Sequence, residues 1–371
     1  IGFIGAIYSL GFYLPQILTA NLAERLRYKK PFVALVGGLG ERLPYLLMGL
    51  AVWGLADRTP GAALAILLFL LGVSAFSNGI ATPAWFDMIA KVIPVQARGR
   101  FSGVGHSLGA LLGIGGAALA GQILASQPFP RSFALCFVVA SAAMAISWAG
   151  LALTREPPSL VTKPSMGLAR YLGQLPTILR RDHNYARFLI ARSVGILGSM
   201  AAGFFMVYGA SRFNLRGEEV GMLMALLVGS QAVANVLWGM AGDRFGHQRV
   251  LCGAAISMAL AGAVALLAGS TRELITVYAL LGIALAGDSV SGMNIILEFC
   301  QPADRPTYIG LTNTLLAPVR IVAPLLGGLL ASAWGYPGLF AVATLVSAFG
   351  GVMLGLWVRE PRRQTSPQAL R

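Results

Sequence analysis

Charge is scarce in this chain, and acidic charge most of all. Of 371 residues, 14 are Asp or Glu and 28 are Lys or Arg, together 11%, where a soluble globular domain carries about a quarter. Cys136, Cys252 and Cys300 stand alone, with no CxxC or other ligand spacing, and read as small core residues. His106, His183 and His247 are too scattered to share a metal ion, so no metal site is expected. No Gly-rich loop ending in Lys-Ser/Thr is present to cradle a nucleotide, which argues against direct ATP-driven work by this chain. No Ser/His/Asp set and no cluster of His with carboxylates is visible, so neither an enzyme nor a cofactor is expected. A charged n-region and a small-residue cleavage site are also missing, so no signal peptide is read at the front.

Apolar residues fill the space that charge leaves. They make up 56% of the chain and raise its mean hydropathy to +0.72. Apolar stretches of about 20 residues recur nearly end to end, separated by short loops of Gly, Pro and charge, the pattern of membrane helices rather than of ten-residue barrel strands. The fold class expected is therefore an all-α membrane protein. Spans are placed at 1–22, 32–55, 62–90, 101–125, 132–153, 188–210, 217–238, 250–269, 273–298, 308–332 and 336–357, eleven in all. Twenty Lys and Arg fall on one side of this arrangement and five on the other, which puts the richer side in the cytoplasm. The net charge of +14 is then a topology signal in the plasma (inner) membrane, and no nucleic acid partner is implied.

The chain is organised around the charged hinge Gly239-Met-Ala-Gly-Asp243-Arg244-Phe-Gly246-His-Gln-Arg249, between two apolar runs. A degenerate copy lies at 20–30, where aligning Glu24 on Asp243 brings Arg25 onto Arg244 and Lys30 onto Arg249. A second pair of loops matches at an offset of 207, Arg98 with Arg305, Phe101 with Tyr308 and Gly103 with Gly310. Both halves also end alike, in Arg155-Glu156-Pro157 and Arg359-Glu360-Pro361. Three landmarks in one order indicate an internal duplication. Two spans precede the second hinge and one precedes the first, so a further helix ahead of residue 1 is expected.

The hinge resembles the loop between the second and third helix of each half of major facilitator superfamily transporters. That resemblance implies a two-bundle fold of about 11 helices present from an expected 12, with an N-terminal bundle at 1–153, a cytoplasmic connector at 154–187, a C-terminal six-helix bundle at 188–358 and a cytoplasmic tail at 359–371. Within the connector, 166–181 reads either as an interfacial amphipathic helix or as a solvated linker. In the superfamily such hinges are thought to latch the halves in one state. Here Gly239, Asp243, Arg244, Gly246 and Arg249 form the fuller copy, with glycines for close approach and a tight turn and Asp243 free to cap a helix or pair with an arginine. Glu24 and Arg25 form the weaker one, whose glycines are replaced by Ala20, Ala23 and Arg27.

Charges at membrane depth are the informative residues, because each is costly unless paired or facing a wet cavity. Glu41 and Arg42 lie roughly 14 Å from the cytoplasmic end of their helix, Asp288 roughly 16 Å and Arg320 roughly 18 Å. Two readings are open for them. Either Asp288 and Arg320 pair, directly or through water, and with Glu41 and Arg42 form a central substrate and proton-coupling site, or the pair is static and fixes helix registry. Asp87 and Arg192, about four residues inside their spans, are placed to snorkel, and Asp87, Arg98 and Arg305 are candidates for a cytoplasmic gate. The resulting expectation is a secondary active transporter of a small organic solute, with that solute, protons and the lipid bilayer as partners, the chain a monomer and export favoured over import. A transporter-derived membrane sensor or scaffold is the alternative.

Overall fold

The structure, a computed structural model, describes residues 2–164 and 166–363. Among the described residues every regular element is a helix. In chain order these are α1 (Gly2–Arg25), α2 (Lys30–Leu55), α3 (Pro60–Val92), α4 (Arg98–Ser126), α5 (Arg131–Leu153), α6 (Leu168–Arg181), α7 (His183–Phe213), α8 (Gly217–Phe245), α9 (His247–Leu267) and α10 (Thr271–Phe299), followed by α11 (305–334) and α12 (336–357).

Local chemistry sets the ends of these helices. Pro31 and Pro60 occupy first turns, where a missing N–H costs nothing. Asp182 caps α7 by accepting from the Tyr185 N–H at 2.9 Å, and Ser270 with Glu273 forms a capping box on α10. Asn214 closes α7 in the left-handed region, φ 49, which asparagine tolerates better than most residues. Gly335, at φ 70, breaks the long run after Arg305 into α11 and α12. Nine helical stretches among the described residues are long and apolar enough to cross a membrane, one of them being 302–357. Separating its two arms and adding α1 recovers the eleven apolar helices expected, so the chain is a multi-pass, all-α membrane protein. The connector does form a helix, α6, and Pro176 lies inside it.

The chain divides into two compact units, which follow packing rather than chain order. The first comprises residues 1–93, 112–173 and 300–314, the second residues 94–111, 174–299 and 315–371.

In the first unit, α1 and α3 cross closely, because a Cβ on Gly79 would lie 2.5 Å from the Phe12 carbonyl oxygen. A small core of Ala23, Val33, Ala84, Met88 and Leu151 joins α1, α2, α3 and α5. The start of α11 packs here too, with Gly310 against Gln16 and the Asn313 amide donating to Gln16 Oε1 at 2.7 Å. Inside α2, residues Val36–Arg42 take π-helical form, a local widening of the helix.

The second unit holds the larger apolar core, built on Phe205, Tyr208, Leu274, Tyr278 and Phe340 from α7, α10 and α12. The rings of Phe205 and Tyr208 each lie 5.1 Å from that of Phe340, a separation at which aromatic pairs attract beyond simple burial. Small residues again allow close approach. A Cβ on Gly282 would meet Ser230 of α8, and one on Gly287 would meet Ala254 of α9.

Candidate functional site

Three charged side chains from apolar helices meet in the second unit. Arg192 on α7 donates through Nη2 to Asp288 Oδ1 on α10 in a direct ion pair. Room for the guanidinium comes from Gly292, one helical turn beyond Asp288, where a Cβ would stand 3.1 Å from Arg192 Nη2. Arg320 on α11 is close enough to act on the Asp288 carboxylate electrostatically. It makes no ion pair within 4.0 Å among the described residues, and its Nε is buried without a hydrogen-bond partner.

This geometry corrects two sequence expectations. Arg320 is not the direct partner of Asp288, and Arg192 does not snorkel. Its side chain is 8% accessible, whereas that of Asp288 is 38% accessible. Similar depth on consecutive helices allowed the expected pair, but Gly292 opens the α10 face to α7 instead. The glycine four residues after the aspartate is the signal that sequence reading passed over.

Glu41 and Arg42 belong to the first unit, so the four expected charges are divided between the two units. Glu41 Oε1 accepts from Asn78 at 3.0 Å, and its Oε2 lies 3.4 Å from Arg42 Nη1. Arg42 also donates to two backbone carbonyls, Gly37 at 2.7 Å and Met144 at 3.1 Å. The π-helical stretch helps to make the first of these bonds, since widening the turn frees carbonyls from the regular ladder. Arg42 lines a groove of about 580 Å³ between α2 and α5, with Leu39, Leu46, Ser141 and Trp148.

The hinges lie near helix starts. Asp243 at the end of α8 accepts from the backbone N–H groups of Gly99 at 2.7 Å and Arg100 at 2.9 Å, and from Arg100 Nε at 3.2 Å. It therefore both caps α4 and pairs with an arginine, the two roles its position suggested. Gly239 and Gly99 face each other so closely that a Cβ on Gly239 would stand 2.5 Å from the Gly99 oxygen. Gly246, at φ 97, makes the turn into α9. Arg244 lies over the Phe245 ring at 5.2 Å, and Arg249 is exposed. Arg98 is buried, and its carbonyl accepts from Asn294 at 3.4 Å.

In the first hinge, Glu24 accepts from the Thr307 hydroxyl at the start of α11 and lies 3.1 Å from Lys163 Nζ. Arg25 donates to Asn21 at 3.1 Å and to the Met166 carbonyl at 2.5 Å. Asp87 is buried rather than snorkelling, because Lys29 at 3.3 Å and Arg305 at 3.7 Å neutralise it in place.

Several residues here escaped the sequence reading. Lys163 of the connector bridges Glu24 and, at 2.5 Å, Asp304. Burial draws its ammonium pKa down, but Asp304 and Glu24 more than offset this, and the net shift is upward. Burial likewise raises the Tyr171 hydroxyl, which shares a 2.9 Å hydrogen bond with Thr307, and lowers Lys29 against the pull of Asp87. Glu156 accepts from the N–H groups of Lys29 at 2.8 Å and Lys30 at 2.7 Å, capping α2. Its repeat partner Glu360 accepts from the Gln248 N–H at 3.2 Å, near the start of α9. Arg362 donates to the Gly242 and Asp243 carbonyls and closes the far end of α8. The repeated Arg-Glu-Pro was the available signal for the two glutamates.

The family profile described as Major Facilitator Superfamily matches residues 188–371. The chain belongs to that superfamily. It is a family of transporters rather than enzymes. This superfamily chain is 24% identical over 182 residues to the multidrug resistance protein MdtG of Dickeya zeae (strain Ech586), an alignment covering 47% of this chain and 44% of that protein. It is 23% identical over 354 residues to solute carrier family 22 member 18 of Mus musculus, covering 87% and 86%. The chain thus spans under half the length of the first relative and most of the second. Among solved structures, the E. coli fucose:proton symporter FucP superposes with a TM-score of 0.75 at 14% identity, over 95% of this chain and 90% of that one. At that identity the likeness speaks for the fold alone.

Proposed function

We propose that this chain is a secondary active transporter that moves a small organic solute by alternating access, driven by protons, with export favoured. The observation that carries the reading is Asp288, a carboxylate on an apolar helix, paired to Arg192 yet 38% accessible. A buried static pair has both members shielded, whereas an accessible acid between two guanidinium groups can take up and release a proton as its partners shift. Arg320, which lacks a direct counterion, is the group offered to a polar or anionic part of the solute. Glu41 with Arg42 is a second, self-contained charged pair and a weaker coupling candidate.

The moving parts in this reading are the bundles 1–153 and 188–358, with the connector 154–187 and the tail from 359 in the cytoplasm and the protein in the plasma membrane. Each hinge acid grips a helix start that belongs to the other sequence half, Asp243 the start of α4 and Glu24 the start of α11. Both grips consist of a few polar contacts, which a latch must be able to break. Arg98, Asp87 and Arg305 reinforce them as gate residues. The working unit in this reading is a monomer.

Flux in proteoliposomes with an imposed pH gradient tests the proposal, using candidate solutes and three proteins. Asp288→Asn is expected to uncouple flux from the gradient, and Arg320→Gln to raise KM at least tenfold with the protein still folded. Full gradient-driven flux in Asp288→Asn would overturn proton coupling at this site. Solute binding with no flux in the unaltered chain would overturn transport and leave the sensor reading.

A further inference from the structure

The end of the second unit at the start of α7 and the end of α12 carries four arginines, Arg249 at the end of the second hinge and three that neither the hinges nor the charged centre use. Arg181, Arg187 and Arg359 line a polar hollow of about 570 Å³ together with Asp182, His183 and Asn184. Arg359 and Arg249 border a second hollow of about 690 Å³ between α9 and α12, walled by Phe245, Cys252, Ile256 and Leu356. Arg359 belongs to both. Its backbone is pinned by two hydrogen bonds with the Asn184 amide, each 2.8 Å, which fixes where its side chain leaves the chain.

None of these four arginines makes an ion pair within 4.0 Å among the described residues. The two acids nearby, Asp182 and Glu360, also serve helix starts. Asp182 caps α7 through the Tyr185 N–H, and Glu360 accepts from the Gln248 N–H beside Arg362. Four arginines thus face two acids, Asp182 and Glu360, and the corner keeps an excess of positive charge. Its surroundings are those of a membrane interface. Arg187 stacks on Trp357 at 5.8 Å, and Leu356 and Trp357 are 85% and 39% exposed at the end of an apolar span. A tryptophan at such a boundary, cations just outside it and an apolar furrow just inside form the pattern that suits a lipid of negative headgroup.

We propose that this corner binds an anionic phospholipid. The headgroup phosphate sits in the hollow of Arg181, Arg187 and Arg359, where guanidinium forks match phosphate oxygens. One acyl chain runs from beneath Arg249 along Ile256 and Leu356 in the α9–α12 furrow. The proposal needs the chain to span a membrane and does not depend on what, if anything, it transports.

The repeat supplies a control, since Arg155 is the counterpart of Arg359 in the first half and Arg27 is another hinge-loop arginine. Binding of phosphatidylglycerol and phosphatidylcholine to the full chain in detergent micelles is to be counted by native mass spectrometry. The unaltered protein is expected to retain phosphatidylglycerol saturably and in preference to phosphatidylcholine. Arg187→Gln/Arg359→Gln should weaken that binding by about fivefold for each guanidinium removed, roughly 25-fold for the pair. Arg27→Gln/Arg155→Gln, with the same loss of charge, should not. Leu356→Ala, an apolar truncation at an exposed position, should weaken it through the acyl contact. Equal binding of both lipids, or equal weakening by the two arginine pairs, would overturn the proposal. So would competition by glycerol 3-phosphate or inorganic phosphate as effective as that of the lipid, which would make this a site for free anions.

Discussion

The two hinges occupy matching places in a duplicated chain and hold their helix starts by different chemistry. At the second, a short carboxylate accepts two backbone N–H groups of α4 while glycines on both helices bring the backbones together. At the first, the glycines have become Ala20, Ala23 and Arg27, and a longer carboxylate reaches a hydroxyl on α11. A third element then enters, because Lys163 of the connector ties Glu24 to Asp304. One grip is made by backbone fit and the other by side chains and a strap. A repeat therefore preserves the place of an interaction more readily than its means.

Substitutions can separate the two designs. Gly239→Ala should have the largest effect, since its Cβ would stand 2.5 Å from the Gly99 backbone oxygen and overpacking of this kind costs about 1–3 kcal/mol. Thermal unfolding in detergent should show a lower midpoint, while Ala23→Gly in the first hinge should shift it much less. An equal loss in both would mean that backbone fit matters alike in each.

Next comes the pair of acids. Asp243→Ala orphans two N–H groups at a helix start, a loss of about 1–2 kcal/mol. Glu24→Ala should cost less, because Lys163 keeps Asp304 and Thr307 keeps Tyr171. Protease accessibility of the α4 and α11 starts measures each grip separately, and stronger exposure at α11 than at α4 would reverse the ranking. Lys163→Ala is smaller again. Its side chain is 35% accessible, so solvent screening leaves no more than about 1 kcal/mol. It should loosen α11 without touching α4.

The smallest effect concerns pH. Burial raises the Glu360 carboxyl above its ordinary 4.5. A carboxyl raised on folding contributes stability that is complete below 4.5 and is lost as pH climbs through the folded value. The unaltered chain should thus gain slightly in melting temperature as pH falls from 7 towards 4.5. Glu360→Gln, which keeps an acceptor for the Gln248 N–H, should make that part of the curve shallower.

Much of this architecture is legible in one dimension. Hydrophobic length marks the helices, lysine and arginine counts suggest an orientation, and the Gly239–Arg249 spacing exposes both the tight turn at Gly246 and the capping role of Asp243. What stays hidden depends on which helix faces which. The Arg192–Asp288 pair joins residues 96 positions apart, and nothing near either names the other except the space left at Gly292. Lys163 sits in a connector without periodicity, so its grip on Glu24 follows from the path of the chain and not from pattern. Depth along a helix is readable from residue counts, but azimuth depends on neighbours.

The π-helical stretch in α2 shows how a small local event limits such reading. One residue inserted into a helix turns everything after it by about 100° relative to an unbroken course. Residues 43–55 therefore present another side to α3 and α5 than the rhythm of 30–35 foretells, and α9, which has no such stretch, ceases to be their template. Removing Gly38 should return residues 36–42 to the regular α-helical ladder and deprive Arg42 of the Gly37 carbonyl that now anchors it.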